Sequence, residues 1–219
     1  MAALEIIGFD ISNWVRAARI ACEEKGVEYT LTTNGMSEFT DMKGEKHLAL
    51  HPFGRIPAMR HGDVVVFETL AIGHYVDRMF DGPSLVPGDP LEAVRLEQWA
   101  SALVDYISRA IMARCVVQYV LPQFTGKPID RAMIDAAIPD IRNHLAILDR
   151  ALGKGPFLHG DKPHLDDFIL MPMVDALAAV APEGPGLLAE APNVARHRAA
   201  FQGRPSYHAT IPQMFRKAA

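Results

Sequence analysis

The sequence predicts two domains, an α/β domain at the N-terminus and an all-α domain after it. Up to residue 80, short apolar runs of strand length alternate with stretches of helical periodicity. The segment 81–90 then carries three prolines and two glycines, which is typical of a linker. Beyond it the strand signal disappears. The predicted element order is therefore βαβ–α–ββα over residues 1–80, and helices alone over 91–219.

A strand–helix–strand unit opens the chain. The apolar run at 4–9 predicts the first strand, and Tyr29–Thr32 predicts the second. Between them, apolar residues recur at helical spacing from Asn13 onwards, and Gly26 marks the end of this helix as a C-cap. In such a unit the helix carries the chain back to the end of the sheet where the first strand began, so the two strands should be parallel.

Residues 53–69 are the most informative stretch and predict a hairpin. Residues 58–60 and Val64–Phe67 read as its two strands. Pro57 lacks the N–H that would donate a hydrogen bond to a neighbouring strand, so it is tolerated only at positions such as the start of a strand. A cis bond before Pro57 is expected to leave the Ile56 backbone free to pair with an outside strand or peptide.

The end of the same hairpin opens a helix with two polar residues. Glu68 and Thr69 bring a carboxylate and a hydroxyl to the helix N-terminus, where free N–H groups favour an anion. The hairpin therefore offers an edge for a peptide backbone at one end and a site for a carboxylate at the other.

The second half of the chain has only helical periodicity. Three long helices are predicted at about 91–124, 130–152 and 165–180, with shorter helical pieces after Pro192 and Pro205. Pro139 is expected to kink or split the second of these helices.

Composition and charge narrow the classes of partner. The apolar share of 49% is ample for a core, and the net charge of −4, with a pI near 6.1, argues against nucleic acid or an anionic membrane as the main partner. No apolar run approaches the roughly 20 residues of a spanning helix. The N-terminus shows no signal peptide, so a cytoplasmic location is expected.

The two cysteines indicate neither a metal site nor thiol redox chemistry. Cys22 and Cys115 are far apart in the sequence and form no C-x-x-C pair. We expect both to be buried small hydrophobes in a reducing compartment, and we expect no metal.

The order and spacing of several motifs resemble one family. H-P-F-G-R-I-P at 51–57, followed by F-E-T at 67–69, resembles the N-P-F-G-x-V-P and E-S motifs of cytosolic glutathione S-transferases. S-N-W-V-R-A-A-R-I-A-C-E-E-K-G-V-E-Y from Ser12 is similar to the first-helix segment of the serine-type classes (phi, theta, zeta and bacterial relatives). D-D-F-I-L-M-P at 166–172 and R-P-S at 204–206 are similar to the C-terminal motifs of the family.

The resemblance implies a thioredoxin-like N-terminal domain that binds glutathione as co-substrate. The helical domain would bind a small hydrophobic electrophile, and the protein would be a homodimer acting in detoxification. Phe53, a large apolar residue in an exposed loop, is expected to pack into the helical domain of a second subunit. Two alternatives stay open: a glutathione-dependent peroxidase, dehalogenase or isomerase, and a binding protein without turnover.

Ser12 falls on the catalytic serine of the family, whose hydroxyl hydrogen-bonds the glutathione sulfur. Its predicted place at a strand-to-helix turn agrees, since donors and the helix dipole there both favour a thiolate. The alternatives are that Ser12 is only an N-cap, or that Asn13 is the donor.

The resemblance also implies a set of glutathione-binding residues: Lys43, Arg55, Ile56, Pro57, Glu68 and Thr69. The two basic side chains would take the glycyl carboxylate. The Ile56 main chain, supported by Pro57, would pair with the peptide. Glu68 would bind the γ-glutamyl ammonium, and Thr69 would bind the γ-glutamyl carboxylate. Two nearby positions depart from the family pattern, since His51 replaces an asparagine and Met42 replaces a histidine.

The electrophile site is the least determined part of the sequence. The candidates come from the start of the first helix and from the long helix at 91–124: Trp14, Met112, Cys115, Val116 and Tyr119. A stripe of this kind at helical spacing is also what a core helix would show.

Overall fold

A four-stranded sheet organises the first part of the chain in this computed structural model, which describes residues 3–216. Its elements are β1 (Leu4–Ile7), α1 (Asn13–Lys25), β2 (Tyr29–Thr32), a 3₁₀ turn (Phe39–Lys43), α2 (Glu45–Leu48), β3 (Ala58–His61), β4 (Val64–Phe67) and α3 (Thr69–Met79). The strand order is β2-β1-β3-β4. β1 runs parallel to β2 and antiparallel to β3, and β3 runs antiparallel to β4. The predicted order βαβ–α–ββα and the parallel first pair are confirmed.

The ends of α1 are fixed by the residues that the sequence indicated. Ser12 is the N-cap. Gly26 ends the helix at φ 78°, in the left-handed region that favours glycine. Its N–H bonds to the carbonyls of Cys22 and Glu23, which satisfies acceptors that the helix end leaves open. As the N-cap, Ser12 lies at the turn between β1 and α1.

The core of this unit lies under α1 and α3, which pack against each other. The apolar faces of both helices and of the central strands meet there, and their side chains exclude water. Seven side chains at its centre are fully buried: Ile6, Ile7, Val15, Ile20, Met59, Ile72 and Val76.

The predicted linker begins as part of this first unit. Leu85 is buried, and its N–H donates to Asp77 Oδ1 at 2.8 Å. The same carboxylate oxygen accepts from Lys25 Nζ at 2.9 Å. These contacts hold residues 81–88 against α1 and α3, so the first compact unit extends to residue 88.

The C-terminal segment also belongs to the first unit, which differs from the predicted helical domain at 91–219. α10 (Pro205–Thr210) lies against α1, and Arg204 forms a two-point ion pair with Glu24. Arg19 donates to the Ala209 carbonyl at 2.9 Å. Residues 204–216 therefore form one compact unit with residues 3–88. The helical spacing of this segment did not indicate that it packs against α1.

The second unit, 89–203, is entirely helical, as predicted. It contains α4 (Pro90–Ala102), two π-helical segments (Leu103–Ile107 and Arg109–Val116), α5 (Val117–Thr125), α6 (Arg131–Leu152), α7 (Leu165–Val180), α8 (Gly184–Ala189) and α9 (Pro192–Gln202). The π-helical segments lie inside the predicted helix at 91–124. There the Ser108 N–H bonds to the Leu103 carbonyl, five residues back, a winding that apolar spacing alone does not reveal.

α7 is the central helix of the second unit. Every residue from 165 to 177 is buried, as expected of a helix that is apolar on all sides. The three polar exceptions are paired: Asp167 accepts from the Leu158 and His164 N–H groups, Asp166 contacts His159, and Asp175 accepts from Arg198. The predicted continuation of this helix through Pro172 is confirmed.

α6 is not split at Pro139, so of the predicted kink or split, the split is wrong. The helix runs without a break from Arg131 to Leu152. Pro139 and Asp135 are both exposed, so the carbonyl that loses its helical N–H partner lies on the solvent side and can bond to water. No helix in the described part of the chain is long and apolar enough to cross a membrane.

Candidate active site

Ser12 lies at the turn between β1 and α1, and its hydroxyl has a free donor. The Ser12 N–H bonds to the Phe9 carbonyl at 3.0 Å, and Ser12 Oγ accepts from the Val15 N–H at 3.4 Å. Its hydroxyl proton has no acceptor among the described residues. The first turn of α1 carries no acidic side chain, so the positive end of the helix dipole is not neutralised. This turn therefore suits an anion such as a thiolate.

Asn13 is differently placed. Its side-chain nitrogen is buried and has no hydrogen-bond partner in the described part of the chain. A buried donor cannot contact a ligand unless the turn rearranges, so the free hydroxyl of Ser12 is the better-placed donor at this turn.

The loop before β3 is held by contacts with the segment that contains Met42 and Lys43. Lys43 Nζ donates to the Phe53 carbonyl at 3.0 Å, and the Gly54 N–H bonds to the His51 carbonyl at 2.8 Å. Gly54 has φ 58°, and a Cβ there would lie 2.7 Å from the Met42 carbonyl oxygen. Only glycine permits this close approach. The loop therefore sits tightly on the segment that carries Lys43.

The Ile56–Pro57 bond is cis, which confirms the prediction. Neither the N–H nor the carbonyl of Ile56 has a hydrogen-bond partner among residues 3–216, and the exposed Arg55 guanidinium likewise forms no ion pair there. This short segment therefore presents a free main-chain donor, a free acceptor and a free cation to a ligand.

Gly8 brings this loop to the Ser12 turn. It has φ 155°, and a Cβ there would lie 2.5 Å from Val15 Cγ2 and 3.1 Å from Ile56 Cβ. Because glycine has no side chain, the end of β1 can lie directly beside Ile56. The Ser12 turn and the Ile56 edge are thus neighbours in the first unit.

Glu68 and Thr69 form the third part of the site. Glu68, the N-cap of α3, has φ 71°, a costly conformation for a non-glycine residue that is found mainly at functional sites. Its carboxylate is 66% exposed, and the nearest cationic candidate is His51, with Nε2 at 3.9 Å. Burial lowers the pKa of His51, so this ring is neutral near pH 7 and leaves the charge of Glu68 available.

Thr69 is less free than the sequence implied. Its hydroxyl donates to the Trp14 carbonyl at 3.3 Å, and this contact joins the start of α3 to the start of α1. A hydroxyl has one proton to donate, so a ligand carboxylate would compete with Trp14 for it or bind the first-turn N–H groups of α3. That turn has no acidic side chain, which leaves it open to an anion.

Two of the electrophile-site candidates are buried, which corrects their assignment to a pocket. Cys115 is 0% exposed and Val116 is 2% exposed, and burial raises the pKa of the Cys115 thiol to about 11. The face of the helix that carries them is turned to the core of the second unit. This is the alternative to a pocket that the helical spacing left open. Both cysteines are buried small hydrophobes, as predicted.

The other three candidates have different surroundings. Trp14 belongs to the first unit, and Met112 and Tyr119 belong to the second. Tyr119 is engaged by its own unit, because its hydroxyl donates to Glu183 at 2.8 Å and accepts from Arg131. Met112 is only half-buried.

A metal site is not indicated. Among the described residues there is no group of three or more His, Cys, Asp and Glu side chains that could hold a metal ion. The free groups around Ser12 are donors, a cation and one carboxylate, which suit a zwitterionic peptide with a terminal carboxylate.

Comparison with known proteins identifies the family. The model of the glutathione S-transferase N-terminal domain matches residues 11–79, and that of the C-terminal domain matches residues 131–200. The chain belongs to the glutathione S-transferase family. The first match spans the turn of Ser12, the loop of Ile56 and the start of α3.

Individual relatives agree along nearly the whole chain. Glutathione S-transferase 3 of Zea mays is 30% identical over 220 residues, which cover 96% of this chain and 94% of that protein. The crystal structure of glutathione transferase F2 from Populus trichocarpa has a TM-score of 0.85 at 25% identity and covers 99% of this chain and 100% of its own. A theta-class enzyme from Xanthomonas axonopodis pv. citri, solved with glutathione bound, has a TM-score of 0.79 at 28% identity, covering 96% and 98%.

Sequence reasoning missed one residue beside the loop of this candidate site. His47, in α2, is buried, and its Nε2 lies 2.6 Å from the Arg55 carbonyl oxygen. The available signal was a histidine in a short helical stretch just before the loop, which is too common a feature to single out.

Proposed function

We propose that this glutathione transferase activates glutathione through Ser12 and transfers its thiolate to small hydrophobic electrophiles. The observation that supports this most directly is the free Ser12 hydroxyl proton at an α-helix N-terminus without acidic side chains. A donor and a helix dipole that both face a sulfur lower the pKa of a thiol. Since a free thiol has a pKa of about 8.5, the lowered value increases the nucleophilic fraction near pH 7.

The reaction itself requires little else from the protein. The thiol proton passes to solvent, and the sulfur lone pair forms a bond to the electrophilic carbon. With an aryl halide, the halide leaves with the electron pair of its bond to that carbon. The protein contributes by holding the sulfur as a thiolate and by orienting the peptide.

Glutathione binding is assigned to the free groups around the turn. Lys43 and Arg55 take the glycyl carboxylate, because the Arg55 guanidinium has no ion-pair partner among residues 3–216 and the Lys43 ammonium donates only one of its three protons to the Phe53 carbonyl. The Ile56 main chain, next to Pro57, pairs with the peptide backbone.

The γ-glutamyl end of glutathione is assigned to the start of α3. The exposed carboxylate of Glu68 takes the ammonium group. The first turn of α3, with the Thr69 hydroxyl, takes the γ-glutamyl α-carboxylate. Opposite charges at the two ends of the site thereby fix the direction in which the tripeptide lies.

The electrophile site is proposed to lie beside Trp14, in the first unit. Trp14 follows Ser12 by two residues and is partly exposed. Because its side chain is large and apolar, the site would take small hydrophobic electrophiles. Such a reaction fits a detoxifying role in the cytoplasm.

A homodimer is the proposed assembly. Phe53 is 68% exposed in its loop, and the first unit also exposes Val64, Val65 and Met79. The second unit exposes Leu91, Val94, Val104 and Tyr106. Exposed apolar groups of this size favour burial against another subunit, and Phe53 would anchor the contact by packing into the helical unit of the partner.

A turnover assay tests the proposal. Purified protein is mixed with glutathione and an aryl halide, and the thioether product is followed by absorbance and identified by its mass. The proposal predicts a rate above the uncatalysed reaction, with displaced halide and thioether in equal amounts. Calorimetric binding of glutathione without turnover of any electrophile in a panel would instead identify a binding protein. Reduction of an organic peroxide with no thioether product would indicate a peroxidase.

A further inference from the structure

His47 contacts the loop that carries the peptide-docking edge. Its ring is 2% exposed, and Nε2 lies 2.6 Å from the Arg55 carbonyl oxygen. A carbonyl can only accept, so His47 must donate a proton from Nε2. Nδ1 is buried and has no partner in the described part of the chain, so the ring bonds to the Arg55 carbonyl through Nε2 alone.

This hydrogen bond determines the orientation of the next N–H. The only cis bond among residues 3–216 follows Ile56, so the Arg55–Ile56 peptide is trans. In a trans peptide the carbonyl and the following N–H point in opposite directions. Because the Arg55 carbonyl points to the buried ring, the Ile56 N–H points away from it. That N–H has no acceptor among the described residues.

His47 is itself held in place by the backbone around it. Its N–H bonds to the Gly44 carbonyl at 3.0 Å, and its carbonyl accepts from the N–H groups of Leu50 and His51 at 2.9 Å each. The ring therefore stands on a fixed turn. It holds the Arg55 carbonyl while Lys43 holds the Phe53 carbonyl two residues earlier.

We infer that His47 is a positioning residue for glutathione, which fixes the Arg55–Ile56 peptide so that the Ile56 N–H faces the cysteinyl carbonyl of the ligand. The inference rests on the proposed glutathione site and adds a residue that does not touch glutathione. Without the Nε2–H donor the peptide plane can rotate, and the ligand must order it on binding. The effect is on affinity for glutathione and not on the chemistry of its sulfur, for which Ser12 is the proposed donor.

Three variants separate positioning from general stability. His47→Leu removes the donor at similar volume, and His47→Asn keeps a polar group that is too short to reach the Arg55 carbonyl. His47→Gln places an amide N–H close to the former Nε2. The matched control is His208→Leu at an exposed histidine of α10. Far-ultraviolet circular dichroism checks folding, calorimetry gives the glutathione Kd, and the ultraviolet thiolate band gives the pKa of the bound thiol.

The inference predicts that Leu and Asn at position 47 weaken glutathione binding about two- to tenfold, the range for one neutral hydrogen bond. Gln should restore most of that loss, and the pKa of the bound thiol and kcat should be unchanged in all three variants. Should His47→Leu fail to fold, the comparison of Asn with Gln gives the same test. Equal affinities in the Asn and Gln variants, or a shifted thiol pKa, would overturn the inference.

A modified ligand tests the geometry itself. In a glutathione analogue with an ester in place of the cysteinyl–glycine amide, the cysteinyl carbonyl becomes a weaker acceptor. If His47 acts through the Ile56 N–H, the loss from the ester and the loss from His47→Leu should be less than additive. Additive losses would overturn the inference. Failure of the wild-type protein to bind glutathione at all would instead contradict the proposed function.

Discussion

The Val15 N–H lies 3.4 Å from Ser12 Oγ, so Ser12 caps α1 with a lone pair of its hydroxyl oxygen. Such a cap does not use the hydroxyl proton. One side chain can therefore serve as helix cap and as donor to a thiolate at the same time. The two interpretations of Ser12 that the sequence left as alternatives are compatible in this structure, and only a measurement on the sulfur distinguishes a cap from a cap that also activates glutathione.

Glu68→Gln should weaken glutathione binding by about 1.5–3 kcal/mol, the scale of a lost hydrogen bond to a charged group. The carboxylate is exposed and, within the described part of the chain, has no ion-pair partner closer than His51 at 3.9 Å, so its removal leaves no buried charge behind. Calorimetry measures the change, with Glu45→Gln on α2 as control. Unchanged affinity in Glu68→Gln would place the γ-glutamyl ammonium elsewhere.

Phe53→Ala should weaken the proposed homodimer by about 2 kcal/mol or more, as expected for an aromatic anchor that is removed from an interface. Its ring is 68% exposed in the single chain, so the substitution should not lower the stability of the first unit by a similar amount. Light scattering over a dilution series measures the association. The control is Phe124→Ala, at another exposed phenylalanine. A wild-type monomer at micromolar concentration would count against the dimer.

His159 should make the second unit sensitive to alkaline pH. Its Nε2 lies 2.7 Å from Asp166 Oδ2 and its Nδ1 lies 3.0 Å from Glu92 Oε2. Burial lowers the pKa of His159, but the hydrogen bonds and charges of these carboxylates outweigh burial and raise it to about 9. Burial raises the pKa of Asp166, so the buried carboxylate, when it is ionised, depends on the cation.

The direction of the pH effect follows from the raised pKa of His159. The pKa of His159 is higher in the folded protein than its unfolded value of about 6.5. Its positive charge therefore stabilises the folded state fully below about pH 6.5, and this stabilisation is lost as the pH rises through about 9. Near pH 8, His159→Gln should lower the free energy of unfolding by about 3 kcal/mol. This is at the lower end of the range for a broken buried ion pair, because Asp166 can take up a proton and become neutral. Urea unfolding from about pH 8 to pH 10 should show the difference from wild type shrinking. His208→Gln is the control, and a difference that does not vary with pH would contradict the assignment.

The local parts of the fold could be predicted from the sequence because their signals are local. A short strand segment before the Gly-Asp turn and an apolar run after it predict β3 and β4, and the glycine at position 26 ends α1 where its φ of 78° requires one. The cis bond before Pro57 follows from a proline at the start of a strand. At Gly26 and Pro57 the residue type itself carries the signal.

The remaining features depend on contacts between distant segments, which one sequence does not show. Cys115 and Val116 are buried, yet a pocket stripe and a core stripe have the same helical period. The segment 204–216 packs on α1 through pairs such as Arg204 with Glu24, and nothing in its composition identifies that partner. The role of His47 becomes visible only when the loop has folded over α2.

The most direct test of the account is the titration of the thiolate of bound glutathione, by its ultraviolet band, in the wild-type protein and in Ser12→Ala. The substitution should leave glutathione affinity nearly intact and raise the pKa of the bound thiol by about one unit or more, where one unit equals about 1.4 kcal/mol. Removing a fully preorganised hydrogen-bond donor to an anion costs roughly 2.7–4 kcal/mol. The shift should correspond to less than this, because the dipole of α1 still acts on the sulfur. The rate with an aryl halide should shift to higher pH in parallel. An unchanged thiolate titration together with an unchanged rate would show that Ser12 is only the cap of α1.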